Sequence, residues 1–152
     1  EEAMSICDKV AVMNEGKIHQ IDSPIKLLEN PKTLFVSSFI LGNNILNLKK
    51  NGNSLSCCLG QIDTSLINKN NPKFVSISPK FICIERSIDG DAKIVAKEFL
   101  GEYLIYKVIL NEEVLRVRTN VNCDYNIGEK CFLSIDKDSF CFVYPGADKI
   151  FI

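Results

Sequence analysis

The sequence has no tryptophan, only one histidine, and no glycines at the spacing G-x-x-x-x-G-K-[ST]. Without that loop there is no run of backbone N–H groups to cradle a nucleotide's phosphates as a P-loop enzyme does. The lone histidine, His19, is the only position that Ser-His-Asp or Cys-His chemistry could use. It falls in a predicted hairpin strand with no nucleophile beside it, so a structural or exposed role is expected rather than catalysis. None of the seven cysteines (Cys7, Cys57, Cys58, Cys83, Cys123, Cys131 and Cys141) stands in a C-x-x-C pair, which removes the usual zinc and redox spacings. Their odd number and apolar or strand-like surroundings predict free thiols acting as small buried hydrophobes in a reducing cytoplasm.

Charge of one sign is also missing. The formal net charge is −1, and no basic run exceeds Lys49-Lys50, so no electrostatic footprint for nucleic acid stands out. The densest apolar run, residues 34–41, is broken by Ser37 and Ser38 and falls short of the roughly 20 residues that span a bilayer. The opening Glu1-Glu2-Ala3-Met4 lacks the basic-then-apolar order of a secretory signal and reads as cut from a longer chain.

What is present is an ordinary folding composition, 46% hydrophobic and 24% charged over 152 residues, enough for one domain or a small domain with an appendage. Residues 9–22 alternate around Asn14-Glu15-Gly16, predicting a hairpin with a three-residue loop and a left-handed residue near Gly16. Ser23-Pro24 provides an N-cap hydroxyl and a first-turn proline for a short helix that ends before Pro31. A second helix is predicted from Pro31, with Phe35/Phe39 and Val36/Ile40 as its apolar stripe and Gly42 as its stop.

After Gly42 the texture changes to short β runs, at 55–60, 74–78, 81–86, 93–100, 103–110, 114–119, 131–135 and 141–144, separated by turn residues. A boundary is therefore expected near Asn43, with a β-sandwich or barrel beyond it. Leu115 and Val117 should face the core, and Arg116 and Arg118 water. The run 103–110, apolar on both faces except Lys107, should be covered on two sides or lie at a subunit contact. Residues 68–72 (NKNNP) look like a polar loop. The close carboxylates Glu1-Glu2, Glu112-Glu113 and Asp136/Asp138 look like solvated turn or helix-start charges rather than paired acids. No catalytic, cofactor-binding or metal-binding residue is assigned.

Residues 1–42, with Glu-Ala-Met at the start, Asp8-Lys9, the Gly16 hairpin, Gln20 and Ser23-Pro24, resemble the stretch after the switch histidine in ATPase subunits of maltose-, polyamine-, sulfate- and iron-type ABC importers. FVSSFILGNN resembles that family's exit from the nucleotide-binding domain. VSISPKFICI (75–84), AKEFLGEYLIYKV (96–108) and IGEKCFLSIDKDSFCFV (127–143) are similar to the oligonucleotide-binding-like barrel called TOBE, although Ser78-Pro79-Lys80 stands where a basic-proline-acidic triplet is usual.

The resemblance implies a mainly β chain: residues 1-42 as the remnant of a nucleotide-binding domain, a hairpin and two short helices, and 43-152 as a TOBE-type OB-like barrel. It implies a parent subunit that binds ATP and Mg and hydrolyses ATP as a dimer on the cytoplasmic side of a membrane permease, with the catalytic motifs before Glu1. The fragment itself is then not an enzyme and carries no cofactor. Its role is subunit contact or regulation, and PKTLFVSSFI leans toward the polyamine-type branch. The expected partners are a second copy of the subunit, the permease subunits, and a regulator or an oxyanion. Two alternatives remain at this stage, an oxyanion-binding barrel and an OB-type nucleic-acid binder. The second is disfavoured because most aromatics sit in apolar runs better explained as core. A hairpin cut from its sheet should also leave an edge and apolar surface open to pairing with another copy.

Overall fold

The computed structural model describes residues 2–63, 71–136 and 139–146. Strands dominate, as expected, and each strand pair is antiparallel. A one-turn helix without a sequence expectation, α1 (Glu2–Ile6), precedes the hairpin β1 (Val10–Asn14) and β2 (Lys17–Asp22). The loop is two residues long rather than three, because pairing continues to Asn14 and Lys17. Glu15 at φ 49° and Gly16 at φ 75° are both left-handed, which matches the right-handed twist of the flanking strands. Further along, Val12 pairs with Gln20 but Met13 with Ile18, leaving His19 as an extra residue in β2. That bulge points two consecutive residues, His19 and Gln20, into the interior, where simple alternation would have turned one of them out.

Helix α2 (Pro24–Glu29) is capped as predicted, with the Lys26 N–H donating to Ser23 Oγ at 3.5 Å. Helix α3 (Leu34–Leu41) begins later than Pro31. The Thr33 hydroxyl accepts from the Val36 N–H at 3.2 Å, and a capping threonine sets the start more firmly than a proline two residues earlier. Gly42, at φ 63°, closes α3 with its N–H on the Ser38 carbonyl at 3.0 Å. Of the expected stripe, Val36 is fully buried while Phe35 and Ile40 pack against it. Phe39 stacks on Phe35 with ring centres 5.2 Å apart yet stays 67% exposed.

The remaining strands are β3 (Asn44–Asn47), β4 (Lys49–Asn51), β5 (Ser54–Cys57), β6 (Gly60–Ile62), β7 (Phe74–Ile77), β8 (Ile82–Arg86), β9 (Ala92–Phe99), β10 (Tyr103–Leu110), β11 (Glu113–Asn120), β12 (Lys130–Ile135) and β13 (Cys141–Tyr144). They form a five-stranded sheet in the order β11-β10-β9-β12-β8 and two three-stranded sheets, β13-β7-β3 and β4-β5-β6. The end strands β8 and β11 of the larger sheet lie against each other, so it curls back on itself in barrel-like fashion. One core joins all three sheets, running from Leu46 and Leu55 through Val75, Ile94, Tyr106 and Val108 to Leu115, Val117 and Cys131.

Leu115 and Val117 are buried and Arg116 and Arg118 exposed, as the alternation predicts. On β10, Leu104, Tyr106, Val108 and Leu110 face the core. On its other face Ile105 is buried while Lys107 and Ile109 are exposed, so that side is covered only in part. The phenylalanines depart from expectation: none among the described residues is buried, and Phe39, Phe99, Phe132 and Phe140 are exposed. They sit at strand ends and on outward faces, and the interior is filled by branched aliphatics and Tyr106. Of the expected polar loop, residues 68–70 lie outside the described residues, while Asn71 has φ 47° and Pro72 is buried.

Candidate interaction site

The hairpin and helices α2 and α3 enclose a small interior with a polar lining. His19 is buried, with Nδ1 3.1 Å from Thr33 Oγ1 and its ring 4.8 Å from that of Phe35. Its role is therefore packing, and it ties β2 to the start of α3. Gln20, also turned inward by the bulge, donates from Nε2 to the Asn30 carbonyl at 3.1 Å and accepts the Lys32 N–H on Oε1 at 2.9 Å. One amide thus satisfies the backbone of the linker between the helices, which would otherwise be costly to bury.

The same unit also leaves large apolar side chains in water. Met13 and Ile21 are 56% and 54% exposed on the hairpin, and Ile25, Leu28 and Phe39 are exposed on the helices. Isolated exposed apolar residues are ordinary, and these five are spread over β1, β2, α2 and α3; their number on so small a unit favours cover by another body.

Where α3 meets the strands, polar groups form the seam. Ser37 Oγ lies 2.5 Å from Ser76 Oγ, and Asn43 Nδ2 donates to Ser76 Oγ at 3.0 Å. Asn44 donates from Nδ2 to the Arg116 carbonyl and accepts the Arg116 N–H on Oδ1, both at 2.8 Å. Tyr144 donates its hydroxyl to the Pro31 carbonyl at 2.8 Å. The two apolar clusters are separate; the Ser37–Ser76 and Tyr144–Pro31 bonds fix the hairpin unit against the strands, while Asn44 joins β3 to β11.

The carboxylates scatter. Glu2 opens α1, Glu112 sits in the β10–β11 turn at φ 69°, and Glu1 and Asp138 lie outside the described residues. Glu113 is not a simple solvated turn charge: its Oε2 accepts a hydrogen bond from Cys58 Sγ at 3.3 Å. The cysteines also differ from expectation, since Cys131 alone among the described residues is buried while Cys7 and Cys83 are exposed. Cys83 stands on the outward face of β8, where alternation places it.

A cleft of about 560 Å³ is lined by Arg86, Ser87, Ile88, Glu129 and Lys130. The Arg86 Nε is held by Glu129 Oε2 at 3.3 Å and its Nη2 by the Asp124 carbonyl, so this guanidinium is committed to the protein and the cleft gives the oxyanion alternative little support. Among the described residues, no group of His, Cys, Asp and Glu is placed to hold a metal, and no helix is long and apolar enough to cross a membrane.

No protein-family model matches the chain. Curated relatives do. The glycerol-3-phosphate import ATP-binding protein UgpC of Psychromonas ingrahamii is 30% identical over 149 residues, covering 90% of this chain and 40% of that protein. The spermidine/putrescine import ATP-binding protein PotA of Bacillus thuringiensis subsp. konkukian is 34% identical over 118 residues, 78% of this chain and 28% of that protein. PotA of Desulfitobacterium hafniense reaches 55% over 47 residues, 31% of this chain and 14% of that protein. The chain spans well under half the length of these relatives. They are ATP-binding subunits of ABC importers, and the match is consistent with a C-terminal part of such a subunit.

Proposed function

We propose that this chain, as the C-terminal segment of an ABC importer's ATP-hydrolysing subunit, serves contact and regulation rather than bond breaking. Residues 1-42 then complete a nucleotide-binding domain, and 43-152 are a TOBE-type accessory domain. The observation that carries this reading is the set of exposed apolar side chains on the hairpin and helices, Met13, Ile21, Ile25, Leu28 and Phe39, which supports contact with another body. The division near residue 42 is supported by the left-handed Gly42 and by the two separate apolar clusters.

On this reading ATP and Mg are held by the parent's other segments, the parent lies at the cytoplasmic side of its membrane permease, and the barrel meets a second copy or a regulator. A polyamine-type substrate is supported by the 54% identity over 52 residues to spermidine/putrescine subunits from Bacillus.

Phosphate release and sedimentation measured on the purified chain test the proposal together. ATP turnover should stay at background, and the chain should self-associate through these exposed apolar side chains, with Met13→Ser and Ile21→Ser weakening that association. ATP hydrolysis by the chain, or a monomer at high concentration, would overturn it.

A further inference from the structure

The β5–β6 hairpin turns at Cys58-Leu59, with Cys57 paired across it to Gly60. Two adjacent cysteines thus sit at a tight bend, both half-exposed. Cys58 Sγ also donates to Glu113 Oε2 at 3.3 Å, so the carboxylate of the first residue of β11 stands beside Cys58. The proposed function uses none of these groups.

We propose that Cys57 and Cys58 form a vicinal dithiol that small disulfide oxidants convert reversibly to an intramolecular disulfide. Cys57 is the attacking sulfur. The hydrogen bond from Cys58 and the backbone N–H groups of Leu59 and Gly60 outweigh burial and the Glu113 charge and bring its thiol down to about 7, so a large share is thiolate at neutral pH. Cys58 is shifted the opposite way, by its bond to Cys57, by burial and by Glu113. The two thiols are therefore unequal, one a nucleophile and the other a proton-bearing resolver.

In the first step the Cys57 thiolate attacks one sulfur of a disulfide RSSR, forming a mixed disulfide and expelling RS⁻, which takes the proton Cys57 released. In the second, Cys58 loses its proton to solvent and attacks the Cys57 sulfur. The Cys57–Cys58 bond forms and the second RS⁻ leaves, collecting a proton from solvent. Two electrons pass to the oxidant, and the products are one protein disulfide and two RSH. Closure also removes the S–H that donates to Glu113.

Intact-mass spectrometry of the whole chain incubated with oxidised glutathione at neutral pH, followed by peptide mapping, tests this. The expected product has lost the mass of two hydrogens, maps to Cys57–Cys58, and returns to the starting mass with a dithiol reductant. Cys58→Ser should stop at a glutathione adduct on Cys57, Glu113→Gln should speed closure by removing the charge that holds the Cys58 thiol up, and Cys141→Ser should leave closure unchanged. A bridge from Cys57 to Cys141, an adduct that never closes in the unaltered chain, or modification confined to the exposed Cys7 and Cys83 would each overturn the proposal.

Discussion

The hairpin–helix unit and the strand-built body solve the problem of an interior in different ways. The body closes around sixteen buried apolar residues drawn from three sheets, whereas the hairpin unit has Val12, Leu27 and Val36 and fills the rest with His19, Gln20, Thr33 and Ser37. Hydrophobic burial tolerates small shifts because it is non-directional, while a buried amide or hydroxyl stabilises only in one geometry. The body is thus held mainly by non-directional burial, and the unit by a few directed bonds and the seam.

The comparison can be broken most sharply at Leu27, which is fully buried in the smaller cluster. Leu27→Ala should cost about 3 kcal/mol and abolish hydrogen-exchange protection in β1, β2, α2 and α3 while β9 to β12 keep theirs. Simultaneous loss throughout would show that the two regions fold as one unit. The reciprocal change is Gly90→Ala: a Cβ there would lie 2.3 Å from the Cys131 carbonyl oxygen and 2.5 Å from the Cys131 nitrogen, with no flexible side chain to give way. Overpacking of this kind costs about 2 kcal/mol, and protection should fall first in β12 and β9. Gly16→Ala meets open space and changes only the φ 75° preference. Chemical denaturation should then show a loss of about 1 kcal/mol, and a loss as large as that for Leu27 would mean that the hairpin turn nucleates the unit.

How much of this was legible in the sequence depended on whether one residue's chemistry settled the matter. Ser23-Pro24, Gly42 and the alternation at Leu115 to Arg118 each carry a local rule, and the structure follows them. The strands β7 to β13 were visible because apolar runs lay between turn residues. Strands β3, β4 and β6 were not, since Lys49-Lys50-Asn51 has no apolar pattern and is held by pairing with β5. The bulge at His19 could not be read because it exists only in the register between two strands. The Cys58–Glu113 contact joins residues far apart in sequence, and no spacing rule brings them together. Cys57-Cys58 was visible as a dipeptide, but only the hairpin bend sets Cys58 against a carboxylate.

The paired bonds of Asn44 to Arg116 have a further consequence. Strand β11 ends the hydrogen-bonded order of the five-stranded sheet and lies against β8 without pairing to it, so its outward N–H and carbonyl groups need partners other than a strand. The Asn44 amide offers the same donor and acceptor as a peptide unit and occupies both Arg116 groups. A single side chain thus supplies at that point the pairing that the β8 backbone does not, and leaves neither group unmet where the sheet curls round.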